Sequence, residues 1–213
     1  MRALSHRFFA RSTLTVAADL LGRTLLVSER GRPCGGLIVE AEAYVGEEDP
    51  ACHAHRGLTP RNRVMYGPPG HAYVYFTYGN HWMLNFVTEV EGFPAAVLIR
   101  ALEPVVGLAR MCRRRGREPN DFNLSNGPGK LTAALGITGA DNDITLGGPR
   151  MLVGGRRPAG LRIATGGRVG VNEGSERPWR FYLDDNLWVS AYRLGSKKCR
   201  RSKSTYVSIQ DTD

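Results

Sequence analysis

The sequence predicts an α+β fold, with a few helices packed on a mostly antiparallel β-sheet. Strand-like segments follow one another with short turns between them, as in antiparallel hairpins. A chain of 213 residues with 42% hydrophobic and 23% charged residues suits one domain with a real core. No internal repeat or linker divides the chain. We therefore expect one domain over residues 1–194 and a basic, disordered tail over 195–213.

The N-terminal part of the chain predicts a helix and a hairpin. Residues 13–21, TLTVAADLL, form a short helical pattern that Gly22 ends. Residues 23–28 and 36–44 are then predicted to pair around a turn at Gly31-Arg32-Pro33.

The strongest β signal is AYVYFTY at residues 72–78, which is rich in aromatic residues. Gly79 and Asn80 both tolerate positive φ and predict a turn. Residues 81–87 would form the second strand of a protruding hairpin. Its tip would carry Tyr78, Asn80 and His81.

The remaining segments alternate between strand and helix patterns. In order they are a polar loop (55–71), a buried strand (94–102), a helix (105–115), a loop entering a helix (125–136), short strands and loops (147–174), and a last strand or hairpin (178–189).

The composition bears on the cellular compartment in which the protein is expected. No apolar stretch approaches the roughly 18 residues of a membrane span, and the N-terminus lacks a secretory h-region. The four cysteines (34, 52, 112 and 199) have no metal-binding spacing. This scatter favours free thiols in a reducing cytoplasm over a disulfide framework or a structural zinc.

The net charge of +9 favours a polyanionic partner. Residues 195–213 contribute five basic and two acidic residues, which leaves 24 basic and 18 acidic residues in the body. The excess is therefore not confined to the tail, a pattern typical of nucleic-acid-binding proteins.

Residues 37–53, LIVEAEAYVGEEDPACH, are the first candidate site. In an extended strand Glu40, Glu42 and Tyr44 would share one face. After an acidic turn the chain returns with His53. The segment could form a catalytic site, or Glu40 and Glu42 could be the solvent face of an edge strand.

Seven segments of this chain, in this order, resemble the alkyladenine (3-methyladenine) DNA glycosylase family. They are VEAEAYVGEEDPACH, LTPRNRVMYGPPG, YVYFTYGNHWMLN, VLIRALEP, GPGKL, RVGV and PWRFY. The resemblance runs from about Phe8 to Tyr192. It implies a compact domain around a curved antiparallel sheet, without metal or cofactor. It also implies a DNA repair enzyme that flips alkylated or deaminated purines out of duplex DNA and hydrolyses the N-glycosidic bond.

The resemblance implies a role for each matched residue. Glu42 would activate water, Arg100 would hold that carboxylate and keep it ionised, and Glu40 has no assigned chemistry. The pocket for the base would consist of Tyr44, His53 and Tyr75, with Asn85 selecting against the 2-amino group of guanine.

Further residues are expected to contact the DNA. Tyr78 would wedge into the minor groove, with Asn80 and His81 beside it on the backbone. The candidates for phosphate contacts are Thr59, Arg61, Lys130 and Gly170. Arg113 to Arg115 are interpreted as a solvated helix end.

No lysine lies in the matched site, so we expect a monofunctional enzyme that leaves an abasic site in an intact strand. It would act as a monomer on damaged double-stranded DNA, in the cytoplasm. Two alternatives are a non-enzymatic nucleic-acid-binding module on the same fold, and a metal-dependent nuclease built on His53 and His55. The second lacks a paired-ligand spacing.

Overall fold

A long central strand organises the protein, as seen in a computed structural model that describes residues 1–190. The predicted tail at 195–213 lies outside the described residues. The strands are β1 (Thr24–Glu29), β2 (Arg32–Val45), β3 (Ala72–Thr77), β4 (His81–Val87), β5 (Ala95–Val106), β6 (Met151–Gly154), β7 (Ile163–Gly166) and β8 (Arg180–Leu183). The α-helices are α1 (His6–Phe9), α2 (Thr13–Leu20), α3 (Leu108–Arg115) and α4 (Pro128–Leu135). Short 3₁₀ helices lie at Arg63–Tyr66, Phe122–Leu124 and Gly139–Asp141.

All eight described strands form one antiparallel sheet, in the order β3-β4-β5-β2-β1-β6, with β8 pairing with β2 and β7. The sheet curls, and the β2–β5 pair contains register shifts of the kind that bend strands. Helix α2 packs on β2, α4 packs on β4 and β5, and α3 packs on α4. The predicted α+β class, with a curved antiparallel sheet in a single domain, is confirmed.

Val39, Ala41 and Ala43 point from β2 into the main core and are fully buried. The alternation expected for this strand therefore holds, and Glu40, Glu42 and Tyr44 lie on its other face. Among residues 1–190, no helix is both long enough and apolar enough to cross a bilayer.

Three predicted boundaries are wrong. The first hairpin turns at Arg30 and Gly31, whose φ values are +50° and +74°, so β2 begins at Arg32 rather than at residue 36. Strand β5 continues to Val106, and α3 starts only at Leu108. Gly107 separates them with φ +71°, and a Cβ there would lie 2.6 Å from the Cys34 Cβ. Glycine is thus required where strand and helix meet.

The β3–β4 hairpin turns one residue earlier than predicted. Tyr78 and Gly79 have φ values of +52° and +70°, and the Asn80 amide donates to the Thr77 carbonyl at 3.2 Å. A side chain as large as tyrosine rarely adopts this conformation, which costs about 1–2 kcal/mol. Positive φ in a large residue marks a turn or a strained functional position, and Tyr78 lies in a turn. Tyr78 is also 78% exposed.

Candidate active site

A double irregularity between the two central strands places the first polar residues. Along the pairing, Ile38 lies opposite Leu102, Glu40 opposite Ala101, and Ala41 opposite Ile99. Val39 and Arg100 are therefore both left without a partner in the ladder. Bulges of this kind redirect side chains next to active sites. Here the bulge brings Arg100 within reach of both glutamates of β2.

Glu40 and Glu42 are both completely buried. The alternative that they form the solvent face of an edge strand is wrong, because β2 is paired on both sides. A buried carboxylate needs charged or hydrogen-bonded partners, and both have them.

Three groups contact the carboxylate of Glu42, namely a backbone amide, a guanidinium and a hydroxyl. Its Oε1 accepts a 2.7 Å hydrogen bond from the Val169 amide and lies 3.3 Å from Arg100 Nη1. Its Oε2 accepts a 2.8 Å hydrogen bond from the Tyr44 hydroxyl. Burial raises the pKa of Glu42, and Arg100, the Val169 amide and Tyr44 lower it without cancelling that effect. Arg100 acts in the expected direction, because it favours the ionised form, while burial has the larger opposite effect. That Glu42 is ionised at neutral pH stays a prediction.

Glu40 lies on the same face of β2 as Glu42 and shares the guanidinium of Arg100 with it. It accepts hydrogen bonds from Arg100 Nε at 3.0 Å, from Arg180 Nε at 2.6 Å, and from the amide and hydroxyl of Ser190 at 2.8 Å each. Its carboxylate is thus occupied by structural partners. This agrees with its having no assigned chemistry and gives it a role in holding Arg100.

The three partners of Glu42 line a cavity of about 480 Å³. The cavity is walled by aromatic and small side chains and by a loop at its edge. Among its lining residues are Tyr44, His53, Tyr73, Tyr75, Tyr78, Asn85, Leu98, Arg100, Val169 and Gly170. Its volume is in the range of small-molecule sites. Glu42 therefore lies directly behind a pocket that could hold a planar ring.

The aromatic wall is held together by its own contacts. The rings of His53 and Tyr75 pack edge to face with centroids 4.4 Å apart, and His53 Nδ1 lies 2.9 Å from the Tyr73 hydroxyl. Burial of the ring, followed by the nearby Arg61, lowers the pKa of His53 to about 4, although much of the residue's surface is exposed. Burial raises the pKa of Tyr75 to about 12. Both rings are therefore uncharged near neutral pH.

Comparison with known proteins decides the family. The model of the methylpurine-DNA glycosylase family matches residues 7–187. The chain belongs to the methylpurine-DNA glycosylase family. It is therefore an enzyme of the N-glycosyl hydrolase class whose substrate is DNA, which removes the non-enzymatic alternative.

Individual relatives of this glycosylase cover most of both chains. A relative from Bradyrhizobium diazoefficiens is 50% identical over 189 residues, spanning 89% of this chain and 91% of its own. One from Rhodopseudomonas palustris strain BisB5 is 52% identical over 187 residues, with 88% and 89% coverage. One from Chlorobaculum parvum is 45% identical over 206 residues, with 95% and 98% coverage. Each of the three bears the name "Putative 3-methyladenine DNA glycosylase".

The glycosylase structure places the predicted pocket residues together. Tyr44, His53, Tyr75, Asn85 and Arg100 all line the one cavity in front of Glu42. Asn85 is buried, and its side-chain amide donates to the Tyr73 carbonyl at 3.1 Å. This bond fixes its position in the wall.

The predicted DNA-contacting residues are more dispersed. Tyr78 lines the cavity from the hairpin tip, and His81 packs over Gly129 at the start of α4. Arg61 donates to the Phe76 carbonyl at 3.0 Å, with its guanidinium 5.3 Å from the Tyr75 ring centre, so it braces the hairpin. Lys130 Nζ is bound to the side chains of Asn123 and Asn126 at 2.8 Å.

The other two phosphate candidates occupy loops. The Thr59 amide donates to Asn62 Oδ1 at 2.7 Å within the polar loop. Gly170 lies at the cavity edge with φ +76° and open space where a Cβ would be. Asn80 is exposed beside Tyr78.

The sequence reasoning missed two charged residues beside the site, Asp49 and Arg168. Both are buried and paired with each other, and Arg168 directly precedes the Val169 that binds Glu42. The RVGV motif marked the region, but nothing in a single sequence links residues 119 positions apart.

Within residues 1–190, no three His, Cys, Asp or Glu side chains are grouped so that they could hold a metal ion. His53 Nδ1 is engaged with Tyr73, and His55 Nδ1 lies 2.6 Å from the Glu47 carbonyl. The nuclease alternative thus gains no support from this part of the chain. That the enzyme needs no metal or cofactor stays a prediction.

Proposed function

We propose that this enzyme flips damaged purines out of duplex DNA and hydrolyses the N-glycosidic bond, leaving an abasic site in an intact strand. The observation that carries the proposal is the position of Glu42, buried directly behind an aromatic cavity and held by Tyr44, Arg100 and the Val169 amide. A carboxylate in this place is suited to activate water against a ring held in the cavity.

The cavity is suited to hold a base that has left the DNA helix. An N-glycosidic bond cannot be reached inside stacked DNA, so the nucleotide has to rotate into a pocket. Tyr75 and His53 offer faces and edges of uncharged rings, which bind electron-poor alkylated purines without reading one hydrogen-bond pattern. Tyr78, exposed at the hairpin tip beside the cavity, would fill the gap in the stack.

In the chemical step, water enters on the cavity side of Glu42. Its oxygen forms a bond to C1′ as the C1′–N bond breaks, and the electrons of that bond leave with the base. Glu42 takes the proton of the water, and its negative charge offsets the oxocarbenium character of the sugar. Arg100 and the Val169 amide orient Oε1, and the Tyr44 hydroxyl orients Oε2.

The reaction ends at the abasic site. A strand-cleaving glycosylase needs an amine to form a Schiff base with the sugar, and no lysine is among the cavity-lining residues in the described part of the chain. We retain the expectation that the enzyme acts as a monomer. We retain the cytoplasmic location expected from the scattered cysteines.

The test is single-turnover excision from a duplex with one hypoxanthine, comparing wild type with Glu42→Gln. The amide keeps the shape of the side chain but cannot accept the proton, so excision should fall by several orders of magnitude while duplex binding persists. Glu47→Gln, a change to an exposed carboxylate five residues away, should leave the rate unchanged. Base release by Glu42→Gln within about tenfold of wild type would refute the proposal.

A further inference from the structure

We infer that the buried Asp49–Arg168 ion pair positions the catalytic site, by holding two cavity-lining loops and the Val169 amide in place against Glu42. The inference rests on the proposed function of Glu42. Neither residue binds Glu42 directly; they act through Tyr44 and Val169, so both would be positioning residues rather than catalytic ones.

The geometry of the pair is bidentate and fully enclosed. Arg168 Nη1 lies 2.5 Å from Asp49 Oδ2, and Nη2 lies 2.7 Å from Oδ1, with both side chains at 0% exposure. Parallel hydrogen bonds of this kind fix direction as well as distance. The pair therefore ties the loop after β2 rigidly to the loop before β8.

Each partner also binds the backbone of the loops. Asp49 accepts from the amides of Val45 and Ala51 at 3.2 Å each, and the second of these contacts lies in the turn leading to His53. Arg168 donates to the carbonyls of Ala43 and Gly174 at 3.1 and 3.0 Å. Residues 169–173, which border the cavity, therefore lie between two anchored points.

The guanidinium of Arg168 also supports the aromatic wall. It lies 4.8 Å from the ring centre of Tyr44 and 5.1 Å from that of Trp179. Tyr44 in turn donates to Glu42. One side chain thus backs two of the three groups that hold the catalytic carboxylate, namely Tyr44 and the Val169 amide.

Stability alone does not account for this pair. Replacement of a buried ion pair by apolar residues is often neutral or stabilising, because desolvation of two charges is expensive. Arg168 Nε is moreover buried with no hydrogen-bond partner, which adds a further cost. The close fit extends to Gly174, where a Cβ would lie 2.7 Å from Arg168 Nη2. Folding stability therefore gives no clear reason for this pair, whereas a fixed geometry of the loops beside Glu42 does.

The pair should influence how Glu42 titrates. If the loop loosens, the hydrogen bond from the Val169 amide weakens and the Glu42 pKa rises further, since that bond lowers it. The acid limb of the pH–rate profile would then move to higher pH. The other groups that act on Glu42 are Arg100 from β5, Tyr44 and Glu40 from β2, Tyr75 from β3, and the charge of Arg168 itself.

The experiment compares Arg168→Lys and Asp49→Asn with a matched pair elsewhere. Arg150 also binds Asp141 with two hydrogen bonds, from Nε at 2.6 Å and from Nη2 at 2.9 Å, although its side chain is 31% exposed. It donates to the carbonyls of Ser28 and Gly136, and neither of these borders the cavity as Val169 does. Arg150→Lys and Asp141→Asn are therefore controls for loss of a structural ion pair. Arg168→Lys keeps both charges but loses the bidentate geometry, so it is the milder variant; Asp49→Asn keeps the shape of Asp49 but leaves the buried Arg168 without a charged partner.

Saturating single-turnover excision of hypoxanthine is measured across pH, together with thermal unfolding. Both site variants should lose up to about 100-fold in rate, as for a small displacement of catalytic groups, and their acid limbs should shift upward. The fold-change in the enzyme concentration that gives half-maximal rate should be smaller than the fold-change in the rate itself. The controls should lose thermal stability with an unchanged rate and acid limb.

Each other result has a definite meaning. Site variants that lose stability but keep the wild-type rate and acid limb would overturn the inference. So would failure of the charge-conserving Arg168→Lys to fold while Arg150→Lys folds, because the pair would then be a folding element. If the wild-type enzyme itself does not release hypoxanthine or another damaged purine, the proposed function fails instead.

Discussion

Arg100 Nη1 and Glu42 Oε1 lie 3.3 Å apart at the back of the cavity, where Glu42 is completely buried and Arg100 is 6% exposed. The same guanidinium also binds Glu40 at 3.0 Å, and Arg180 adds a second positive charge to Glu40. The positive charge of Arg100 is therefore shared between Glu40 and Glu42. This shared arrangement is one reason why burial outweighs Arg100 in setting the Glu42 pKa.

The raised pKa of Glu42 predicts the acid side of the pH–rate profile. The proposed base acts only when ionised, so the rate should rise with pH through a pKa above the ordinary glutamate value of about 4.3. The measurement is saturating single-turnover excision from pH 4 to pH 9.

His53 is the control for this profile. Its pKa of about 4 keeps it neutral over most of that range, so His53→Gln should change the rate without moving the acid limb. An acid limb at pH 4 or below in the wild type, or one that disappears with His53, would contradict the assignment to Glu42.

Local patterns predicted most of the fold, and they failed at backbone details. Alternation in residues 37–44 identified the buried and polar faces of β2, since side-chain direction in a strand depends only on neighbouring residues. The hairpin turn was misplaced because Tyr78, not Asn80, has positive φ. Propensity disfavours tyrosine there, and a functional constraint can override propensity.

Residue spacing alone left Glu42, Tyr44 and His53 as one of two interpretations of residues 37–53, and the resemblance was needed to assign them to a pocket and to add Arg100. The bulge that aims Arg100 and the Asp49–Arg168 pair could not be predicted, because each depends on contacts between segments distant in sequence. The full burial of Glu42, which determines the direction of its pKa shift, is likewise a property of packing.

Arg100→Ala should destabilise the protein strongly. Removal of this cation leaves Glu42 without a charged partner in the interior, and such losses typically cost about 3–5 kcal/mol. The free energy of unfolding from urea denaturation measures the effect. Arg162→Ala is the matched control, because Arg162 pairs with Asp184 and Asp185 while its side chain is 68% exposed.

Exposed ion pairs contribute at most about 1 kcal/mol, so the Arg162 variant should unfold nearly as the wild type does. If both variants lost the same free energy of unfolding, the charges of Arg100, Glu40 and Glu42 would not be energetically coupled.

Excision should persist in excess EDTA, and the DNA strand should remain whole until it is treated with alkali. In the proposed chemistry Glu42 activates the water and no lysine attacks the sugar, so neither a Lewis acid nor a Schiff base is used. Gels run with and without alkali, before and after chelation, measure both properties. Loss of activity on chelation, or an adduct trapped by borohydride, would show that a different mechanism operates.

The last prediction separates the wedge from the pocket. Tyr78 should stabilise the flipped state, whereas Tyr75 should hold the base once it is out of the helix. Tyr78→Ala should therefore reduce excision most in a well-paired duplex, and less where the lesion is mispaired and unstacking costs less. Tyr75→Ala should reduce excision to a similar degree in both duplexes, because the pocket must bind the base in either case.

A third variant tests whether Tyr78 serves only to stabilise the hairpin. Asparagine tolerates the left-handed conformation that Tyr78 adopts at φ +52°. Tyr78→Asn should therefore keep or raise the thermal stability of the protein while still reducing excision from the well-paired duplex. A purely structural tyrosine would behave in the opposite way, with lower stability and an equal fractional loss in paired and mispaired duplexes. Single-turnover rates in both duplexes, with thermal unfolding of each variant, decide between the two roles.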